Sequence, residues 1–144
     1  MRSFRQGQRV LVFFLWLPLF SYGQKIRFYN SEQGLPSSLI YKMSQDNYGY
    51  IWIATGDGAS YFDGMRFTIF RHEPDKAGTI SSDLVKCIFT DSRGNIWIGT
   101  SNGLQIYDRG KNTFRDFPLQ YPSFAGTPYV TSIAESSDHE EILV

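Results

Sequence analysis

Arg66, Arg71 and Arg93 carry the side chains most able to grip a charged ligand, because a guanidinium presents a planar fork of donors that matches a carboxylate. They qualify as ligand-contact candidates if they stand on loops at the edge of a sheet scaffold, where binding residues concentrate. They serve equally well as solvated surface. Asp57, Asp63, Asp91 and Asp108 raise a second prospect, calcium ligation or a pair of catalytic carboxylates. A calcium loop needs acids at alternate positions, as in Asp-x-Asp-x-Asp-Gly, whereas these aspartates recur in step with glycine. That pattern is turn chemistry. Cys87 is the single cysteine, and with only His72 and His139 beside it there is no cluster at metal-ligand spacing. The sequence therefore predicts no metal, no cofactor and no catalytic residue. The glycine-rich stretches ATGDG (54–58) and GTSNG (99–103) lack both the lysine and the following helix that a phosphate cradle requires.

The elements that must position these residues are written twice. DNYGYIWIATGDG (46–58) and DSRGNIWIGTSNG (91–103) share the pattern Asp-x-x-Gly-x-Ile-Trp-Ile-(Ala/Gly)-Thr-x-(Asp/Asn)-Gly. Trp52 and Trp97 stand 45 residues apart, and Asp46, Gly49, Thr55 and Gly58 hold the same register with Asp91, Gly94, Thr100 and Gly103. Upstream, Leu39-Ile40 matches Leu84-Val85 and Met43 matches Ile88. Downstream, Phe67 and Phe70 match Phe114 and Phe117 after a two-residue insertion. A third copy begins near the end: Val130 and Ile133 continue the spacing of Val85 and Ile88, and Ile142-Leu143-Val144 falls where Ile96-Trp97-Ile98 stood.

Self-similarity at this period signals a repeat architecture. Each unit parses into four short strands, with Asp-x-x-Gly as a tight turn in which the aspartate bonds backbone N–H groups and the glycine supplies a positive φ. Ile-Trp-Ile is apolar on both faces of its strand, so it must be covered twice. Small four-stranded antiparallel sheets that are covered on both faces and recur about every 40–45 residues are blades of a β-propeller. A two-sheet sandwich leaves the period unexplained. The expected fold is all-β, an incomplete propeller of two blades and part of a third. The expected segments are a signal peptide (1–23), a lead-in (24–36), a first repeat (37–71), a linker (72–81), a second repeat (82–117), a linker (118–129) and a truncated third repeat (130–144). At repeat spacing inside apolar strands, Trp52 and Trp97 read as inter-blade packing rather than as sugar-stacking platforms.

The start of the chain reads as an export signal. Arg2, Arg5 and Arg9 precede an apolar run from Val10 to Phe20, and Ser21-Tyr22-Gly23 offers small residues for cleavage between Gly23 and Gln24. The run is short of the ~20 residues needed to span a bilayer, which makes an uncleaved anchor the weaker alternative. The 144 residues carry 14 basic and 14 acidic side chains with no like-charge run, so nucleic-acid binding is not expected. With 42% hydrophobic and 17% aromatic residues, the composition is that of a packed chain.

Residues 45–70 and 90–117 resemble the two-component regulator propeller repeats of periplasmic sensor regions in bacterial hybrid two-component proteins, and YNSEQGLPSSLI (29–40) resembles the usual lead-in to a first blade. The resemblance implies an exported, periplasmic ligand sensor that takes an oligosaccharide, further blades and a histidine kinase in a longer polypeptide, and a homodimer when complete. It makes this chain an N-terminal fragment without enzymatic activity of its own. The alternatives are a secreted propeller enzyme acting on carbohydrate and a structural or protein-docking propeller. His139-Glu140 resembles a kinase phosphoacceptor pair, but the following EILV lacks the rest of that motif and the pair aligns with the third Asp-x-x-Gly turn.

Overall fold

The computed structural model describes residues 25–119 and 126–144. The leader and the cleavage position between Gly23 and Gln24 lie outside the described residues. Among the described residues the first element is a short 3-10 turn, Ser31–Gln33; Asn30 caps it by accepting from the Glu32 N–H at 2.8 Å. Eight strands follow in two sheets. β1 (Ile40–Gln45), β2 (Ile51–Thr55), β3 (Gly58–Phe62) and β4 (Phe67–Phe70) form one antiparallel meander, and β5 (Val85–Thr90), β6 (Ile96–Thr100), β7 (Gly103–Asp108) and β8 (Thr113–Phe117) form a second. A two-stranded ladder, β9 (Ala134–Glu135) with β10 (Ile142–Leu143), completes the chain.

The tight turns form because their residue types satisfy them locally. Asp46 Oδ1 accepts from the backbone N–H groups of Tyr48 and Tyr50, both at 2.9 Å, and Asp91 Oδ1 does the same for Arg93 at 3.0 Å and Asn95 at 2.7 Å. Gly49 and Gly94 each take φ 84°, a conformation that costs a side-chain-bearing residue. In the third repeat His139 holds that left-handed position at φ 61°, in the turn between β9 and β10. The β2–β3 corner repeats a different device. Thr55 Oγ1 donates to the Gly58 carbonyl at 2.7 Å and accepts from the Asp57 N–H at 3.1 Å; Thr100 makes the same pair with Gly103 and Asn102.

The sheets stack face to face, and the core lies between them. Trp52, fully buried, lies with Phe70 and Tyr61 against Tyr107, Phe114 and the aliphatic side chains of β5 and β6. Its ring centroid is 4.9 Å from Tyr107 and 5.8 Å from Phe70, and Phe70 meets Phe114 edge-on at 5.1 Å. Trp97 repeats the arrangement one blade on: it contacts Phe117 at 5.1 Å and packs with Cys87, Leu104 and Ile106 against Val130 and Ile133 of the third repeat. Burial of such rings is a major part of core stability. The fold is thus a radial stack of propeller blades, with each tryptophan strand enclosed by the next blade.

One residue choice inside the repeated motif follows from this stacking. Ala54 in β2 is paired with Lys42, and its counterpart in β6 is Gly99, paired with Cys87. A Cβ on Gly99 would lie 2.4 Å from Cys87 Sγ and 2.5 Å from Val130 Cγ1. The second joint therefore needs glycine where the first accepts alanine.

Candidate functional site

Antiparallel connectivity divides the loops between two edges of the stack. The β1–β2, β3–β4, β5–β6 and β7–β8 turns share one edge, and the β2–β3 and β6–β7 turns share the other with the linker from β4 to β5. Arg71 lies on the linker edge, where it pairs with Asp57 at 2.9 Å. Arg66 and Arg93 lie on the opposite edge. Arg66 is highly exposed and 3.7 Å from Asp63, while Arg93 donates to the His139 carbonyl at 3.3 Å. The three arginines are not brought together. Of the aspartates singled out for calcium or catalysis, Asp63 accepts from the N–H groups of Met65 and Arg66, and Asp108 from that of Lys111. Among the described residues no group of three or more His, Cys, Asp or Glu side chains is placed to hold a metal ion.

The linker itself builds a polar cleft. Residues 72–81 arch over the joint and, with Asn102, Gln105, Phe114 and Asp116 of the second blade, enclose about 500 Å³. The arch is held at both ends. The His72 N–H donates to Asp83 Oδ1 at 2.7 Å, and its ring Nδ1 is 2.7 Å from the Ile80 carbonyl. At the other end Gln105 Oε1 accepts from the Ser81 N–H at 2.8 Å, and its amide nitrogen donates to Asp116 Oδ1 at 2.8 Å. Ile80, fully buried, plugs the arch into the core, and Gly78 at φ 82° passes so close to Thr113 that a Cβ there would lie 2.9 Å from Cγ2. The sequence marked this segment as a linker; the signal that it also enters the core was Ile80, which repeats Leu35 at the 45-residue spacing.

Charge in the cleft is mostly acidic. Glu73, Asp75 and Asp116 line it against Lys76, which pairs with Glu73 at 2.9 Å. Asn102 and exposed peptide groups add donors and acceptors beside the edge of the buried Phe114 ring. Such a lining suits a neutral polyhydroxylated ligand and repels an anionic one.

Two further polar contacts stitch the blades together, and neither was legible as a motif. Arg109, on the β7–β8 turn, ion-pairs with Asp46 of the first blade and lays its guanidinium over the Tyr48 ring at 4.3 Å. At the second joint, Glu135 accepts from the Ser92 N–H at 3.0 Å and from its hydroxyl at 2.7 Å. Between β5 and β1, Lys86 Nζ lies 3.6 Å from the Tyr41 ring centroid, and its pKa is raised, chiefly by its interaction with Tyr41.

The two component regulator propeller family matches residues 34–57 and 79–102. Histidine kinase P4 of Formosa agariphila is 40% identical over 48 residues, which are 33% of this chain and 4% of that protein. Among solved structures, the extracellular domain described as part of a hybrid two component system of B. thetaiotaomicron superposes with a TM-score of 0.68 at 27% identity, over 79% of this chain and 16% of that one. A second extracellular domain from the same organism, described as part of a one component system, gives 0.65 at 20% identity, over 81% of this chain and 15% of that one. The chain therefore spans a small fraction of the length of the relatives it matches. No helix among the described residues is long and apolar enough to cross a membrane.

Proposed function

We propose that this chain, whose residues 34–57 and 79–102 are two component regulator propeller repeats, works as part of an extracytoplasmic sensor propeller in a hybrid two-component system. The observation that carries the reading is the coincidence of those two matched segments with two stacked blades that superpose on the extracellular domain of such a system. Periplasmic exposure and a leader ending at Gly23 belong to the same proposal.

The ligand proposed for it is a neutral oligosaccharide held in the linker cleft, with Asn102, Asp116 and the exposed peptide groups of the arch bonding its hydroxyls. Because the arch runs from β4 to β5 and is tied to the second blade through Asp83 and Gln105, while the Asp83 carbonyl accepts from the Gly58 N–H of the first blade at 2.7 Å, occupancy of the cleft would bias how the blades sit on each other. A homodimer of the complete sensor would pass that bias as a rigid-body shift to a kinase in the same polypeptide. Arg66, Arg71 and Arg93 remain candidates for peripheral contacts at their separate edges. Isothermal titration of the complete extracellular region against a panel of neutral and anionic oligosaccharides tests the reading. Saturable binding of a neutral member that weakens in Asp116→Ala and Asn102→Ala is expected. Binding of anionic members alone, or affinity unchanged in both variants, overturns it.

A further inference from the structure

At three corners of the chain a glycine directly follows an acid or an amide: Asp57-Gly58, Asp63-Gly64 and Asn102-Gly103. A glycine there lacks the Cβ that would hinder its own nitrogen from curling back onto the preceding side-chain carbonyl carbon. The three corners differ in the electrophile they offer. A carboxylate resists such attack, and both aspartates are held as anions: Asp57 pairs with Arg71 at 2.9 Å, and the N–H groups of Arg66 and Met65 bond Asp63 and lower its pKa. The Asn102 amide carries no charge. It stands exposed on the β6–β7 turn and belongs to the one asparagine of the sequence that precedes a glycine.

From this contrast we infer that Asn102-Gly103 is a self-modification site, at which the cleft-lining amide converts to a carboxylate with water as the only co-reactant. The Gly103 nitrogen gives its proton to solvent base and bonds to Asn102 Cγ; the Cγ–Nδ2 bond breaks, ammonia leaves and a five-membered imide remains. Water then opens either imide carbonyl, which yields aspartate or isoaspartate at position 102. One amide and one water are consumed, and one carboxylate and one ammonium are produced. The place of the product gives it a consequence. Asn102 Nδ2 donates to the Ser81 carbonyl at 3.2 Å, at the end of the linker arch, and a carboxylate has no proton to give. Its oxygens would face that carbonyl in a cleft already lined by Glu73, Asp75 and Asp116. In the first blade Asp57 takes the register position of Asn102 and is answered by Arg71, but Pro118 stands in the second blade where Arg71 stands in the first. The arch thus loses one of the bonds that pin Ser81, keeping those to Gln105 and to the Thr100 hydroxyl. Isoaspartate adds a main-chain methylene beside Gly103, whose φ of 100° closes the turn.

The site needs no ligand, so its test is separate from that of the sensor reading. The 144-residue chain is incubated folded at mildly alkaline pH for several weeks, beside a urea-unfolded sample, and its peptides are read by mass spectrometry with electron-transfer fragmentation to tell aspartate from isoaspartate. A gain of one mass unit at Asn102 in the folded sample is expected, with Asn47, Asn95 and Asn112 unchanged there and no gain at position 102 in Asn102→Gln. An intact Asn102 in the folded sample overturns the inference, as does equal conversion of all the asparagines, which would assign the reaction to unfolded chains. Asn102→Asp supplies the product directly. Hydrogen exchange at the Ser81 N–H should be several-fold faster in that variant than in the parent chain, and equal rates would overturn the link between this site and the arch. A failed oligosaccharide titration would sink the ligand reading alone.

Discussion

The indole N–H of Trp52 donates to Asp46 Oδ2 at 2.9 Å, so one carboxylate closes the β1–β2 turn with one oxygen and holds the blade's central ring with the other. The second blade repeats the bond between Trp97 and Asp91 at 2.9 Å. In the third repeat Leu143 takes the strand position of Trp97, and the turn position of Asp91 is filled by Ser136. Both partners change together. A leucine needs no acceptor, and a buried carboxylate without the indole donor would be costly to retain.

Asp91→Ala should destabilise the chain by about 2–4 kcal/mol, because it orphans the buried indole N–H and two turn N–H groups at once. Urea denaturation followed by tryptophan fluorescence measures it. A loss under about 0.5 kcal/mol, the range of ordinary surface substitutions, would show that the bond is incidental.

Acid should weaken both blades. Burial pushes the Asp46 carboxyl upward, but hydrogen bonds from the Trp52 indole, the Tyr50 N–H, Arg109 and the Tyr48 N–H outweigh it and leave the pKa lowered. Asp91 is lowered in the same way, with Trp97 and Asn95 in the leading places after burial. A carboxylate whose folded pKa lies below its unfolded value, about 3.9, contributes stability in full above that value and loses it as pH falls through the folded pKa. Stability should therefore be level from neutrality to about pH 5 and decline below pH 4. Replacing both aspartates by asparagine should flatten the decline, and an unchanged acid limb would assign it to other groups.

Gly99→Ala should cost about 1–3 kcal/mol, since its methyl meets Cys87 Sγ and Val130 Cγ1 at well under contact distance. Val130→Ala should recover part of that loss by emptying one side of the clash. Thermal melts of the single and double variants decide it, and additive losses would count against the described second joint.

Cys87 should be nearly inert to thiol reagents at pH 8. Burial raises its pKa to about 11, and its S–H faces the Val130 carbonyl at 3.7 Å. Disulfide-exchange kinetics should quicken sharply only where urea unfolds the chain. Rapid labelling of the folded chain would mean that the third repeat does not cover the second blade.

The fold was largely legible because its determinants are local and periodic. Ile-Trp-Ile must be covered on two faces, Gly49 and Gly94 must take positive φ, and a constant spacing ties each face to the next. What escaped the sequence is what depends on contact between repeats. Asp46 and Asp91 read as turn residues without their indole bonds, and no pattern in the sequence marks Arg109 as a bridge to Asp46. Ile80 was hidden in a stretch whose composition is that of a loop. Candidate ligand residues were the least legible, because Arg66, Arg71 and Arg93 carry no periodic signal and only the connectivity separates them onto two edges.

Hydrogen exchange at the indole N–H groups of Trp52 and Trp97, observed by nitrogen-15 NMR, tests the stacked-blade account most directly. Both N–H groups, enclosed between blades and bonded to Asp46 and Asp91, should be strongly protected, with Trp52 the slower of the two as the more deeply buried. Exchange of either indole at the rate of free tryptophan in the folded chain would contradict it.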